Sequence, residues 1–313
     1  MTKKSLTALI ISIFCFVALM IIATFWDLNI SVAIGNADSV YGQFFNYLGE
    51  FPAWFGIPLS FLIFYRAYQS CGKKWLKYIF LVGVFAGFFF LARYLMSEMT
   101  AELKWKYLYV TLFGLTMTAI ACLWIRGLKE ETAKKLVVFA VLLIALIAVS
   151  QGITTVLKYV WSRQRFRTLQ IGNTYAGTSE GFTPWYKPTF GNHDPTALYP
   201  DVLGGKGEEG AYRSFPSGHT AAAAASFAII VLPDIFDKLK KYRAVFYVVP
   251  VIYTVLVGVS RIVNRAHYLS DVTIAGFYTA GLAYLFRFVL KKIRIKYKPS
   301  FLEGLPTESA AEE

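Results

Sequence analysis

Residues 136–167 read LVVFAVLLIALIAVSQGITTVLKYVWSRQRFR. The part from 136 to 157 carries no charge. It is long enough to cross a bilayer as a helix, which takes about 20 apolar residues. Lys158, Arg163, Arg165 and Arg167 then follow within one short stretch. A span with cations gathered at one end is the unit from which the rest of the chain is read.

The composition agrees with that unit. The 313 residues are 56% hydrophobic and only 16% charged, where a soluble domain carries about 25% charged residues. The net charge of +13 could signal nucleic acid, but the cations sit in short clusters between apolar runs. That pattern belongs to a membrane protein and excludes a nucleic-acid partner. Three cysteines, Cys15, Cys71 and Cys122, stand apart from the long polar segment. They suggest no disulfide framework, cysteine-rich zinc site or thiol catalyst.

Apolar stretches of spanning length occur at roughly 6–26, 50–68, 76–96, 106–125, 136–157, 218–235, 244–262 and 270–290. The expected fold is therefore all-α, a polytopic bundle of eight membrane helices, or six if two runs are interfacial or re-entrant. The first run is read as a retained span, since no small-residue cleavage site follows it. The second is the weakest, because Pro52 and Pro58 interrupt it. Three regions follow: N-terminal spans over 1–157, a catalytic core over 158–290, and a basic, then disordered, cytoplasmic tail over 291–313.

Charge in the loops sets an orientation. No Lys or Arg occurs between Lys4 and Arg66. Basic clusters recur around Lys73 and Lys74, Lys134 and Lys135, Lys240 and Lys241, and after Lys291. They fall on alternate loops, so the positive-inside rule puts them and both termini in the cytoplasm. Lys104 and Lys106 dissent mildly. The same parity places 158–217, the 262–270 connection and the loop after the first span on the outer face. The segment 158–217 is the longest polar stretch, and long ordered loops are usually functional.

Ionisable residues at membrane depth are costly and mark functional candidates. Three groups converge on the outer ends of the last four spans. In the first, Lys158 and Arg165 are seven apart, two turns of a helix, and would share a face. The plain alternative is a basic anchor with Trp161 in the aromatic belt, but the positive-inside rule disfavours cations on that side. In the second, Pro216 and Ser217 read as a helix start with a serine N-cap. Gly218 lets a ligand approach the backbone, the helix N-terminus attracts anions, and His219 stands in the first turn. Ala221 to Ala225 allow close helix packing. A capped helix with a locally bonded histidine is the plain alternative. In the third, His267 and Asp271 are four apart, so Asp271 can hold one imidazole nitrogen and make the other more nucleophilic. Arg261 stands close by. A buried His–Asp staple is the alternative there.

Two histidines and one aspartate could ligate zinc or iron. Lys158, Arg165 and Arg261 would repel a cation, and a cation-lined hole beside a paired histidine fits a phosphoryl group better. The expected chemistry is phosphoryl transfer without metal or other cofactor, driven by positioning and charge stabilisation.

These groups resemble the three motifs of the type 2 phosphatidic acid phosphatase superfamily. The motifs there are lysine, six residues, Arg-Pro; Pro-Ser-Gly-His; and Ser-Arg, five residues, histidine, three residues, aspartate. The counterparts in this chain are Lys158 to Arg165, then Pro216 to His219, then Ser260-Arg261 to His267 and Asp271. The resemblance covers about 158–290 and leaves the earlier spans uninformative about chemistry. It departs at Phe166, where proline is usual, and at Arg265, where a small residue is common. It implies that His267 attacks phosphorus, that Asp271 orients it, and that His219 protonates the leaving oxygen and later activates water. It assigns Lys158, Arg165, Ser217, the Gly218 N–H and Arg261 to the phosphoryl oxygens. Arg265 becomes a possible residue of the substrate rim. The implied substrate is a membrane lipid phosphate or diphosphate, presented at the outer leaflet of a plasma membrane, bacterial by its basic loops. A lipid phosphotransferase of the same chemistry, and a non-enzymatic lipid-binding or transport protein, are the alternative readings.

Overall fold

A computed structural model describes residues 3–70, 73–99, 106–169, 182–191 and 210–297. The tail from 298 onward, Cys71, the dissenting Lys104 and much of the long polar segment lie outside these residues. All regular structure among the described residues is helical. Among the described residues, eight helices are long and apolar enough to cross a membrane by length and composition. The chain is a polytopic helical protein, and each of the eight apolar runs expected from the sequence lies in one of these helices.

Helix α1, Lys3–Ile34, runs past the end of its apolar core because no glycine or proline interrupts it before Gly35. The first loop is largely a helix of its own, α2, Val40–Leu48, whose Ser39 cap accepts from the Gly42 N–H at 3.2 Å. Helix α3, Phe51–Ala67, takes Pro52 into its first turn, where the missing N–H costs nothing. Pro58 lies inside α3, and Gly87 of α4, Lys74–Met99, faces it. A Cβ at Gly87 would come within 2.7 Å of the proline ring, so the two helices meet only because a side chain is missing. Helices α5, Lys106–Ile125, and α6, Glu130–Trp161, follow. The sixth run is α7, Gly218–Ala224, continued by a 3₁₀ stretch, Ala225–Val231, and a last turn, α8, Leu232–Ile235. Helices α9, Arg243–Val263, and α10, Leu269–Tyr297, are the last of the described elements.

The chain divides into two compact units that each draw on distant parts of the sequence. One is made of 1–49, 150–221 and 253–279. The other is made of 50–149, 222–252 and 280–313, with an apolar core of residues such as Val138, Leu142, Leu146, Ile230 and Val231. Many large apolar side chains point outward: Phe14 is 72% exposed and Trp124 72%. Exposed apolar side chains in such number are what lipid covers in a membrane protein.

Candidate active site

All three motifs fall in the first unit. Helix α6 ends at Trp161, where Ser162 takes a φ of 41° and its N–H closes on the Lys158 carbonyl at 3.0 Å. That left-handed residue stops the helix. Arg165 therefore does not share a helical face with Lys158, as two regular turns would require. It sits in extended backbone, with φ −75° and ψ 144°, and leads into a 3₁₀ turn, Phe166–Thr168. His267 likewise precedes α10, while Asp271 is in that helix's first turn.

The sharp turn still brings Arg165 to His267. Arg165 Nη1 approaches His267 Nε2 within 3.4 Å, and its Nε donates to the Gly210 carbonyl at 2.9 Å. The other imidazole nitrogen, Nδ1, lies 3.5 Å from Asp271 Oδ2. That is ion-pairing distance but long for a hydrogen bond, as is common before substrate binds. His267 is thus lined up between a carboxylate and a guanidinium, and it is almost fully buried. Burial, reinforced by the charges of Arg165 and Lys158 and opposed by Asp271, holds its pKa well below the ordinary imidazole value. That shift favours the neutral ring, which keeps a lone pair on one nitrogen.

Cations crowd one side. Arg165 lies close enough to Arg167, Arg213 and Arg261 for their charges to act on it. Lys158 Nζ is 3.4 Å from where a Gly218 Cβ would be, so the bare glycine backbone and the ammonium face each other. Ser217 is the expected N-cap. Its Oγ accepts from the Thr220 N–H at 3.3 Å, and its own N–H donates to the Asp271 carbonyl at 3.1 Å. Arg261 accepts the His267 N–H on its carbonyl at 3.2 Å. Its Nη1 donates to Asn46 Oδ1 at 2.8 Å. His219 Nε2 is 3.3 Å from the Asn46 carbonyl oxygen. Arg265 reaches back to the residue that follows α1, donating from Nη2 to the Gly35 carbonyl at 3.0 Å. Its φ of 54° is a left-handed backbone that favours glycine.

Five participants are not evident from the motifs. Asn46 of α2 touches both Arg261 and His219. Ser214 donates to Asp271 Oδ2 at 2.5 Å. Arg163, grouped with the cations in the sequence, points elsewhere: its Nη1 donates to Asp271 Oδ1 and to Ser270 Oγ, each at 2.7 Å. Its Nη2 meets Asp27 Oδ2 at 2.9 Å. Asp27 lies in α1, so a span that the motif comparison leaves uninformative supplies a buried carboxylate linked to His267 through Arg163 and Asp271. One signal could have found it. Asp27 is the lone charged residue between Lys4 and Asp38, and an ionisable group inside a span is a candidate by default. Asn46 carries no such signal.

Among the described residues, no group of three or more His, Cys, Asp or Glu is placed to hold a metal ion. Residues 139–294 match the family model of the PAP2 superfamily, a range that contains all three motifs. No curated protein and no solved structure matches the chain. The family match supports phosphatase activity on phosphate esters.

Proposed function

We propose, for a chain that belongs to the PAP2 superfamily through residues 139–294, that it hydrolyses a lipid phosphate or diphosphate through a phosphohistidine at His267. The observation that carries this reading is the line from Asp271 through the His267 ring to Arg165. A phosphoryl oxygen entering the site takes the place of His267 Nε2 as the partner of Arg165 and brings phosphorus to that nitrogen. Nε2 attacks, the P–O bond to the lipid breaks, and His219 gives its proton to the leaving oxygen. His219 then takes a proton from water, whose oxygen displaces Nε2 and releases inorganic phosphate. Lys158, Arg261, Ser217 and the Gly218 N–H stabilise the charge on the phosphoryl oxygens, the largest contribution such a site makes. No step calls for a metal.

Lipid is the substrate class that fits an apolar chain of spanning helices, since its tail stays in the bilayer while its headgroup meets the cations. The positive-inside rule directs the site to the outer leaflet. The deciding experiment is an assay of the purified protein on a panel of lipid phosphates, scored by inorganic phosphate. Release from at least one lipid, undiminished by chelators, is expected. Phosphate recovered on an acceptor would make the chain a transferase, and no turnover of any lipid would remove the substrate class. The orientation has its own test. Cysteine at Lys187 is expected to react with an impermeant thiol reagent from outside, and cysteine at Lys240 only after the membrane is opened. The opposite pattern would move the chemistry to the cytoplasm.

A further inference from the structure

We infer that Asp27 of the first span is a positioning residue for this reaction, acting on the Asp271–His267 pair through Arg163 and Ser270; the inference rests on His267 being the nucleophile.

The four side chains form a closed, dry set. Asp27 is 3% exposed, Arg163 1%, and Ser270 and Asp271 0%. Asp27 Oδ1 accepts the Ser270 N–H at 2.9 Å, in the first turn of the helix that carries Asp271. Asp27 Oδ2 accepts from Ser270 Oγ at 2.5 Å and from Arg163 Nη2 at 2.9 Å. Ser270 Oγ in turn accepts from Arg163 Nη1, which also donates to Asp271 Oδ1. Arg163 Nε donates to the Thr183 carbonyl at 2.7 Å, and the guanidinium lies 4.1 Å from the Tyr268 ring centroid. A planar fork held at this many points has one orientation.

That orientation sets Asp271. With Oδ1 committed to Arg163, and Oδ2 taking Ser214 Oγ and the Tyr268 N–H, the carboxylate cannot rotate. Oδ2 is then the oxygen presented to His267 Nδ1. Arg163 carries one positive charge between two carboxylates. Without Asp27 its charge falls on Asp271 alone, the fork loses its anchor on α1, and Asp271 is drawn away from the imidazole. Neither Asp27 nor Arg163 needs to touch substrate for this to matter.

The test is Asp27→Asn, which keeps the shape and removes the charge, measured in detergent-purified protein on a lipid phosphate that the wild type turns over. The expected result is a fall in kcat of roughly 10- to 100-fold, the scale of a small misplacement of a catalytic group, with KM unchanged. Phosphoenzyme should form more slowly but to full stoichiometry. Ser270→Ala should show the same split on a smaller scale and Ser270→Thr should restore it, which covers the case in which Asp27→Asn does not fold. Folded Asp27→Asn or Ser270→Ala with wild-type kcat would overturn the proposal. His267→Ala, run alongside, separates the two ideas. If it is dead while Asp27→Asn is normal, only this inference fails; if it turns over normally, the nucleophile itself is wrong.

Discussion

Asp234 and Asp271 are both buried against arginine, and they are built for opposite ends. In the second unit, Asp234 takes both nitrogens of an Arg287 fork at 2.5 and 2.8 Å, Arg243 at 2.9 Å and Lys291 at 3.2 Å. Three cations surround one anion, all of them partly exposed. Every direction around Asp234 ends in a cation, so nothing is left to orient a neutral base. In the first unit the ratio is inverted. One fully buried cation, Arg163, is shared by two carboxylates, and Asp271 keeps an oxygen facing a histidine. Asp234 is an ionic clasp between elements of the second unit. Asp271 is held still so that something else can react. Burial of a charge does not by itself mark chemistry; the partners that remain uncommitted do.

The comparison breaks most visibly at the two aspartates themselves. Asp271→Asn is expected to lower kcat by roughly 10²–10⁴-fold, the range for a disrupted acid–base group, while the protein stays folded. Asp234→Asn is expected to leave kcat unchanged and lower stability by about 2–3 kcal/mol, since charge-assisted bonds are lost at a site whose cations keep some water. Steady-state kinetics and thermal unfolding of both variants check this. A loss of kcat at Asp234, or none at Asp271, would erase the distinction.

A pH experiment sharpens it. The pKa of His267 is pushed down by burial, so the folded chain binds fewer protons there than the unfolded one, whose imidazole titrates near about 6.5. The stability this group contributes is complete above that value and is lost as pH falls toward the lowered folded value. The unfolding midpoint of the wild type should therefore drop more between about pH 7.5 and 5.5 than that of His267→Gln. Parallel curves would mean that His267 is not held neutral.

Gly218→Ala asks whether the cationic side admits a ligand. The new Cβ would meet only Lys158 Nζ at 3.4 Å and Thr154 Cγ2 at 3.9 Å, so the fold should tolerate it. A raised KM with unchanged stability is expected if phosphate approaches this backbone, and an unchanged KM would argue that it does not. The smallest effect belongs to Arg265. Arg265→Gly relieves a left-handed backbone worth about 1–2 kcal/mol. It also loses a bond to Gly35 worth about 1 kcal/mol and adds about 1 kcal/mol of unfolded-state freedom. Near-zero change in stability is expected, with an equal, slight change in turnover of mono- and diphosphate lipids. A selective loss on diphosphates would place Arg265 at the substrate rim instead.

The spans were legible in the sequence because hydropathy over a bilayer's thickness is a property of each run alone. Their ends were less so. Nothing in 158–165 announces that Ser162 adopts a left-handed backbone, and the helical spacing of Lys158 and Arg165 misleads on that account. The polar residues of the three motifs could be picked out because charge is scarce in this chain. The supports around them could not, because Asp27 and Asn46 come from segments more than a hundred residues before Arg163 and their value is set by tertiary contact. Asp27 had a readable cue in its isolation within a span; Asn46 had none.

The central claim is that Asp271 serves a nucleophile and Asp234 does not. It is tested most directly by rapid quenching of a reaction with a ³²P-labelled lipid phosphate, followed by isolation of the labelled protein. The account predicts a base-stable, acid-labile phosphoenzyme in the wild type and in Asp234→Asn, slowed formation in Asp271→Asn, and none in His267→Ala. Label appearing in His267→Ala at the wild-type level, or wild-type turnover that passes through no phosphoenzyme, would contradict it.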